Sequence, residues 1–67
     1  MFFIDAKLSI VVQNISGPFL ASRTKLVHAG SIKEAQNKFE KDAYSFYSHM
    51  GNIKIHFEYI KIADELH

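Results

Sequence analysis

The chain has 67 residues, 48% of them hydrophobic and 22% charged, with a net charge of +1 and no cysteine. This length predicts one domain over residues 1–67, and the composition argues against a disordered chain. The lack of cysteine excludes disulfides and thiolate metal sites, so a core this small is expected to gain stability from self-association.

The first strand has the clearest pattern in the chain. Between Phe2 and Val12 every even position is apolar, whereas Asp5, Lys7 and Ser9 occupy odd positions. Strict alternation is typical of a strand with one buried face. The following Asn-Ile-Ser-Gly-Pro segment, residues 14–18, has the composition of a turn.

A second strand is predicted from about Leu20 to Val27, with a weaker alternation. Its basic residues Arg23 and Lys25 are typical of an edge strand, where charged side chains discourage pairing with other chains.

A helix is predicted to begin after Ser31, because Ser31 and Glu34 have the spacing of a capping box. Gly51 and Asn52 are typical of the end of a helix. Between these two signals, apolar residues recur at steps of three and four, which indicates one buried stripe. The stripe consists of Ile32, Ala35, Phe39, Ala43, Phe46, Tyr47 and Met50.

The third strand is predicted from Ile53 to Tyr59, again by alternation. After Tyr59 the pattern shifts, because Ile60 and Ile62 are the apolar residues. Either a bulge changes the side-chain direction or both faces are apolar at that point. The last residues, 64–67, are expected to fray.

The order strand, strand, helix, strand predicts a small α+β fold. The first two strands form a hairpin, and a right-handed crossover through the helix places the third strand beside the first. The expected architecture is a three-stranded antiparallel sheet in the order 2-1-3, with one helix packed on one face. The other face is left open.

The open face is the main functional clue, because contiguous exposed apolar surface usually marks an interface. The alternation predicts that an interface there includes Phe3, Val11, Val27, Ile60 and Ile62. Tyr44, at the edge of the helix stripe, is a further candidate partner anchor, although packing in the core is the simpler interpretation. The expected partner is a second copy, joined through the third-strand edge or by stacked open faces, a different protein, or both.

Nucleic acid is the alternative partner. Lys7, Arg23, Lys25 and Lys54 could form a basic patch on the open face, with Phe3 as a stacking platform. Asp5 and Glu58 interrupt this patch, which makes a protein partner the preferred prediction.

No residue pattern predicts catalysis. None of the four histidines has the spacing of a metal site. His56 and Glu58 share a strand face, but solvated neighbours of this kind are much commoner than catalytic pairs. We therefore expect a non-enzymatic protein with no catalytic residues, no cofactor, no bound metal and no small-molecule substrate.

Nothing in the sequence predicts a membrane segment. Spanning a bilayer takes about 20 consecutive apolar residues, and no stretch of the chain approaches that. The apolar start is interrupted by Asp5 and Lys7, unlike the core of a signal peptide. We expect a cytoplasmic protein.

The order of elements over the whole chain is similar to that of small phage-encoded proteins that disable host machinery. It resembles the Dmd-type antitoxins of T4-like phages, and small anti-CRISPR proteins also have compact α+β folds. The resemblance lies in element order, without a shared motif, so no functional residue is transferred. It implies an inhibitor that binds a host protein and covers its surface, in the cytoplasm of the host cell.

Overall fold

Three strands form one antiparallel sheet with a helix on one face, as the element order predicts. The computed structural model describes residues 1–64. Strand order is β2-β1-β3, and β1 is antiparallel to both neighbours. The elements are β1 (Phe2–Val12), β2 (Phe19–Val27), α1 (Ile32–Tyr47), a 3-10 turn (Ser48–Met50) and β3 (Ile53–Asp64).

The end of β3 differs in part from the prediction that residues 64–67 fray. Asp64 belongs to the strand and pairs with Phe2. The other residues of that prediction, 65–67, lie outside the described part of the chain.

The core lies between α1 and the sheet, and β1 supplies most of it. All six even-numbered side chains of β1 are buried, because β1 is central and α1 covers its even-numbered face. Phe39 is fully buried, with its ring centroid 6.3 Å from that of Phe57 on β3. The buried residues are Phe2, Ile4, Ala6, Leu8, Ile10, Val12, Val27, Ala35, Phe39 and Ala43.

Only half of the expected capping box forms at the start of α1. The Ser31 hydroxyl accepts a hydrogen bond from the Glu34 backbone N–H at 3.2 Å. The Glu34 carboxylate does not return to Ser31. It contacts the Lys38 ammonium at 3.1 Å and accepts a hydrogen bond from the Gly30 backbone N–H. These contacts, above all the one with Lys38, lower the pKa of Glu34.

The helical segment ends at Gly51 as predicted, although α1 itself ends at Tyr47 and the last turn is 3-10. The chain leaves the helix through the 3-10 turn, and Gly51 adopts a φ of 104° while its N–H donates to the Ser48 carbonyl. Glycine adopts this backbone conformation without the strain that a side chain would cause.

The buried stripe of α1 is narrower than predicted. Ile32 and Phe46 are 56% and 55% exposed, because Ile32 opens the helix and Phe46 lies toward the outer strand β2. There the Arg23 guanidinium lies 4.6 Å from the centre of the Phe46 ring. Ala35, Phe39 and Ala43 are buried, and the half-buried Tyr47 and Met50 also pack against the core, as predicted.

A β-bulge in β3 explains the shift in its apolar pattern. Lys7 pairs with Tyr59 and the next residue, Leu8, pairs with Phe57, so Glu58 is the extra residue. An extra residue reverses the side-chain directions beyond it. Of the two alternatives that the sequence left open, the bulge is the one that forms.

Candidate interaction surface

The sheet face away from α1 carries more apolar surface than a solvated sheet needs. Paired residues of antiparallel strands point to the same side, so the strand register identifies the side chains on this open face. Its five large apolar members are between 39% and 69% exposed. They are Phe3, Val11, Leu20, Leu26 and Tyr59.

A continuous apolar row lies at one end of the open face. Leu26 and Ala63 pair with Phe3 from opposite sides, which forms an apolar row across all three strands. Tyr59 lies four residue pairs further along, opposite Lys7. An aromatic ring beside exposed aliphatic side chains is typical of the centre of an interface.

Three lysines give the open face its charge. Lys7 pairs with Tyr59, Lys54 with Val11, and Lys61 with Asp5. The Lys61 ammonium lies 5.2 Å from the centre of the Tyr59 ring. This face therefore combines apolar rings with positive charge.

The two carboxylates of the open face already have polar partners. Asp5 accepts a hydrogen bond from the Thr24 hydroxyl at 3.1 Å, and Glu58 lies 3.7 Å from His56. His56 and Glu58 have side-chain exposures of 75% and 46%. A pair in open solvent has no enclosed space in which to hold and activate a substrate, so its geometry is that of a solvated surface contact.

The prediction that Val27, Ile60 and Ile62 lie on the open face is wrong. Val27 pairs with Phe2 and is buried. Ile60 and Ile62 follow the bulge, so they pair with Ala6 and Ile4 on the side of α1, where they pack against the core. Phe3 and Val11 lie on the open face as predicted.

The predicted positions of Arg23 and Lys25 are also wrong. The register of β2 places both on the side of α1, opposite Ala6 and Ile4. The long side chains of an edge strand can pass alongside the helix while keeping their charges near water. The basic patch predicted for the open face therefore retains Lys7 and Lys54 but loses Arg23 and Lys25.

Arg23 and Lys25 instead bind a carboxylate of the helix. Both contact Asp42, Lys25 at 2.9 Å. Hydrogen bonds from Lys25 and Arg23 lower the pKa of Asp42. The Arg23 Nε is buried and has no hydrogen-bond partner among the described residues. This cluster connects β2 to α1.

Tyr44 lies outside the core, on the side of α1 that faces β3. It is 43% exposed, and its hydroxyl is 3.4 Å from the Ile55 carbonyl oxygen. It also lines a shallow depression with Asn37, Glu40 and Lys41. Tyr44 is therefore accessible but is not part of the open face.

A narrower cleft lies on the opposite side of α1, where the helix meets the end of β2. Its volume is about 250 Å³, and Val27 and Phe39 contribute apolar surface. The Lys38 ammonium at its border donates to the His28 carbonyl at 2.8 Å. The residues lining the cleft are Lys25, Leu26, Val27, His28, Lys38, Phe39 and Asp42.

Sequence reasoning missed Leu20, Leu26, Tyr59 and Lys61 as members of the open face. Tyr59 and Lys61 follow the bulge, so the shift of the apolar pattern at Ile60 and Ile62 was the sequence signal that could have identified them. Leu20 and Leu26 depend on the register of β2, for which the sequence carries no comparable signal.

The described residues contain no group of three or more His, Cys, Asp or Glu side chains that could hold a metal ion. No helix in residues 1–64 is long and apolar enough to cross a membrane.

Comparison with known proteins gives no match to a family model, to a curated protein or to a solved structure.

Proposed function

We propose that this chain is a protein-binding module that covers part of a partner's surface with its open sheet face. The observation that supports this most strongly is the uncovered apolar row of Leu26, Phe3 and Ala63, with Tyr59 nearby. In a chain this small, exposed apolar surface lowers solubility. Binding to a partner that buries this apolar surface would explain why the chain exposes it.

The charge of the open face indicates the chemistry of the partner. Lys7, Lys54 and Lys61 outnumber the carboxylates Asp5 and Glu58, both of which have polar partners. A complementary surface is apolar at its centre and acidic at its rim, because opposite charges steer association and fix its orientation.

The size of the face suggests a moderate interface. Eleven residues of β1 extend about 36 Å and three strands about 14 Å, which gives about 500 Å² of flat surface. Stable complexes bury about 800 Å² on each partner. The open face alone therefore favours a transient or regulatory complex.

A different protein fits this surface better than a second copy. Each open face carries three lysines against two carboxylates, so stacking two open faces would bring two net positive charges together. Like charges brought together across an interface oppose association. Sedimentation velocity tests the homodimer, and a dimer at micromolar concentration that Tyr59→Glu dissociates would favour self-association instead.

The biological role that we propose is inhibition by occlusion. The element order resembles that of phage-encoded inhibitors, and a small rigid scaffold with one exposed binding face suits a protein that competes for a partner's surface. In this proposal the partner is a host protein, and the chain acts in the cytoplasm of the host cell without performing chemistry.

Nucleic acid is the second candidate partner, and the open face supplies a specific reason to consider it. Two aromatic residues, Phe3 and Tyr59, share this face with three lysines, and single-stranded nucleic acid binds by base stacking beside positive charge. Binding of this kind weakens steeply with salt.

Affinity capture with matched variants tests the proposal. The wild-type chain, Tyr59→Glu and Ile32→Glu are used as baits in host lysate, with and without nuclease. Tyr59 lies on the open face and is 41% exposed, whereas Ile32 lies on α1 and is 56% exposed. We expect the wild-type bait to enrich one protein, resistant to nuclease, that Tyr59→Glu loses and Ile32→Glu retains.

Two outcomes would contradict the proposal. A protein captured equally by both variants binds elsewhere on the chain. Loss of all captured material on nuclease treatment, with affinity for a single-stranded oligonucleotide that falls steeply between low and high salt, would favour the nucleic-acid alternative. Circular dichroism of each variant checks that the fold is retained.

A further inference from the structure

The two edges of the sheet differ in their ability to accept another strand. On β3 the bulge at Glu58 interrupts the edge, and the Tyr44 hydroxyl contacts the Ile55 carbonyl. Bulges and covered backbone groups are devices that block edge pairing. By contrast, β2 pairs with β1 without interruption from Phe19 to Val27, and within residues 1–64 no strand lies on its other side. Its basic residues Arg23 and Lys25, expected from the sequence to discourage pairing, are instead held against Asp42 on α1.

The accessible edge lies beside the cleft between β2 and α1. Lys25, Leu26 and Val27 belong both to the strand and to the lining of the cleft, and Lys38 and Phe39 complete it from the helix. A strand added to β2 would therefore project alternate side chains toward this cleft.

The volume of the cleft suits one side chain. At about 250 Å³ it is smaller than the roughly 300–1,000 Å³ typical of small-molecule sites. Peptides that add to a sheet edge gain affinity from main-chain hydrogen bonds and specificity from pockets for individual side chains. The dimensions favour a peptide over a free metabolite.

The charges around the cleft favour an acidic side chain. Arg23, Lys25 and Lys38 bring three positive charges, against the two carboxylates Asp42 and Glu34 that they contact. One positive charge remains in excess. Each lysine ammonium has three donors, so an incoming carboxylate can bind without displacing both existing pairs.

We propose that β2 is a docking edge for an extended, acidic peptide segment of a protein partner. The segment pairs with the backbone of β2 as a fourth strand and places a glutamate or aspartate side chain in the cleft, near Lys25 and Lys38. Its side chains on the other side extend the open face beside Leu20 and Leu26. This docking edge does not depend on the function proposed for the open face.

Titration with two blocked nine-residue peptides, followed by NMR of the labelled full chain, tests the inference. One peptide alternates valine with glutamate, and the other alternates valine with lysine. A single added strand is expected to bind in the millimolar range, so the titration extends to about 5 mM. We expect the glutamate peptide to shift the amides of residues 19–28 and the lysine peptide to bind about tenfold more weakly or not at all.

A charge-matched pair of variants locates the binding. Lys25→Gln combined with Lys38→Gln removes the two cleft ammonium groups, whereas Lys54→Gln combined with Lys61→Gln removes two from the open face. We expect the first double variant to lose about tenfold in affinity for the glutamate peptide and the second to retain affinity within about twofold, apart from a small effect of net charge.

Shifts confined to β3 or to the open face would overturn the inference, as would equal binding of both peptides or no binding at about 5 mM. Because Tyr59→Glu leaves the edge of β2 unchanged, it should bind the glutamate peptide like the wild type. Failure of the docking edge is thereby distinguished from failure of the proposed open-face function.

Discussion

The bulge at Glu58 determines which side chains near the end of β3 face the core. We therefore expect an acidic residue to destabilise the fold at position 62 and to be tolerated at position 63. Ile62 pairs with the fully buried Ile4 and packs against the core, whereas the exposed Ala63 pairs with Phe3 on the open face. Without the bulge these two directions would be reversed. Ile62→Asp and Ala63→Asp therefore form a matched test.

The expected cost of Ile62→Asp follows from burial. A fully buried isoleucine contributes about 1.5–3 kcal/mol, so the partly buried Ile62 contributes about 1–2 kcal/mol. A carboxylate beside Ile4 adds about 1–3 kcal/mol for lost hydration. The sum, about 2–5 kcal/mol, is a large part of the roughly 3–10 kcal/mol expected for a domain of this length.

Urea denaturation measures this difference. With an m value of about 1 kcal/mol/M, Ile62→Asp should lower the midpoint by about 2 M or more, or unfold the chain in water. Ala63→Asp should stay within about 0.5 kcal/mol of the wild type, as is usual for surface substitutions. Equal losses, or a stable Ile62→Asp variant that loses only self-association, would refute the assignment of these faces.

Three further substitutions test the core, the ion pairs and the helix end. Phe39→Ala should cost about 3–5 kcal/mol, because it empties a fully buried ring site; a loss below about 1 kcal/mol in urea denaturation would contradict the packing. The pKa of Asp42 is lowered from its ordinary 3.8. The stability that its contacts with Arg23 and Lys25 give the fold is therefore present above that pH and is lost as the pH falls through the lowered pKa. Asp42→Asn should therefore flatten the stability profile between about pH 5 and pH 2, with a difference at neutral pH below about 1 kcal/mol because the pair is partly solvated; parallel profiles would contradict this. Gly51→Ala should cost about 1–3 kcal/mol because a φ of 104° with a ψ of −146° strains any side chain, while the control Gly30→Ala, whose added Cβ meets only ordinary contacts, should cost clearly less in thermal unfolding.

The fold was predictable because its main signals are local. Alternation in β1, the cap at Ser31 and the glycine at Gly51 each act within a few residues. Strand order then followed from chain connectivity and crossover handedness. These features decide the architecture without any knowledge of side-chain contacts across the sheet.

The membership of the open face was less predictable, because it depends on strand register. The segment between β1 and β2 does not determine which side chains of β2 face the helix, and the leucines of β2 wrongly suggested that its even positions are buried. The decisive contacts are made across the fold, where Arg23 and Lys25 meet Asp42 and Arg23 also lies over Phe46. No local pattern in β2 signals a carboxylate on the helix that comes after it.

The same register links the stability of the domain to its interaction surfaces. A slip of one residue in β2 would turn Leu20 and Leu26 toward the helix and turn Arg23 and Lys25 outward. The observed register instead retains the cluster at Asp42 and buries Val27, at the expense of two leucines that are 69% and 51% exposed. The contacts that fix β2 on the helix side therefore also create the apolar open face. A partner that covers Leu20 and Leu26 should stabilise this register, so binding and the free energy of unfolding should rise together.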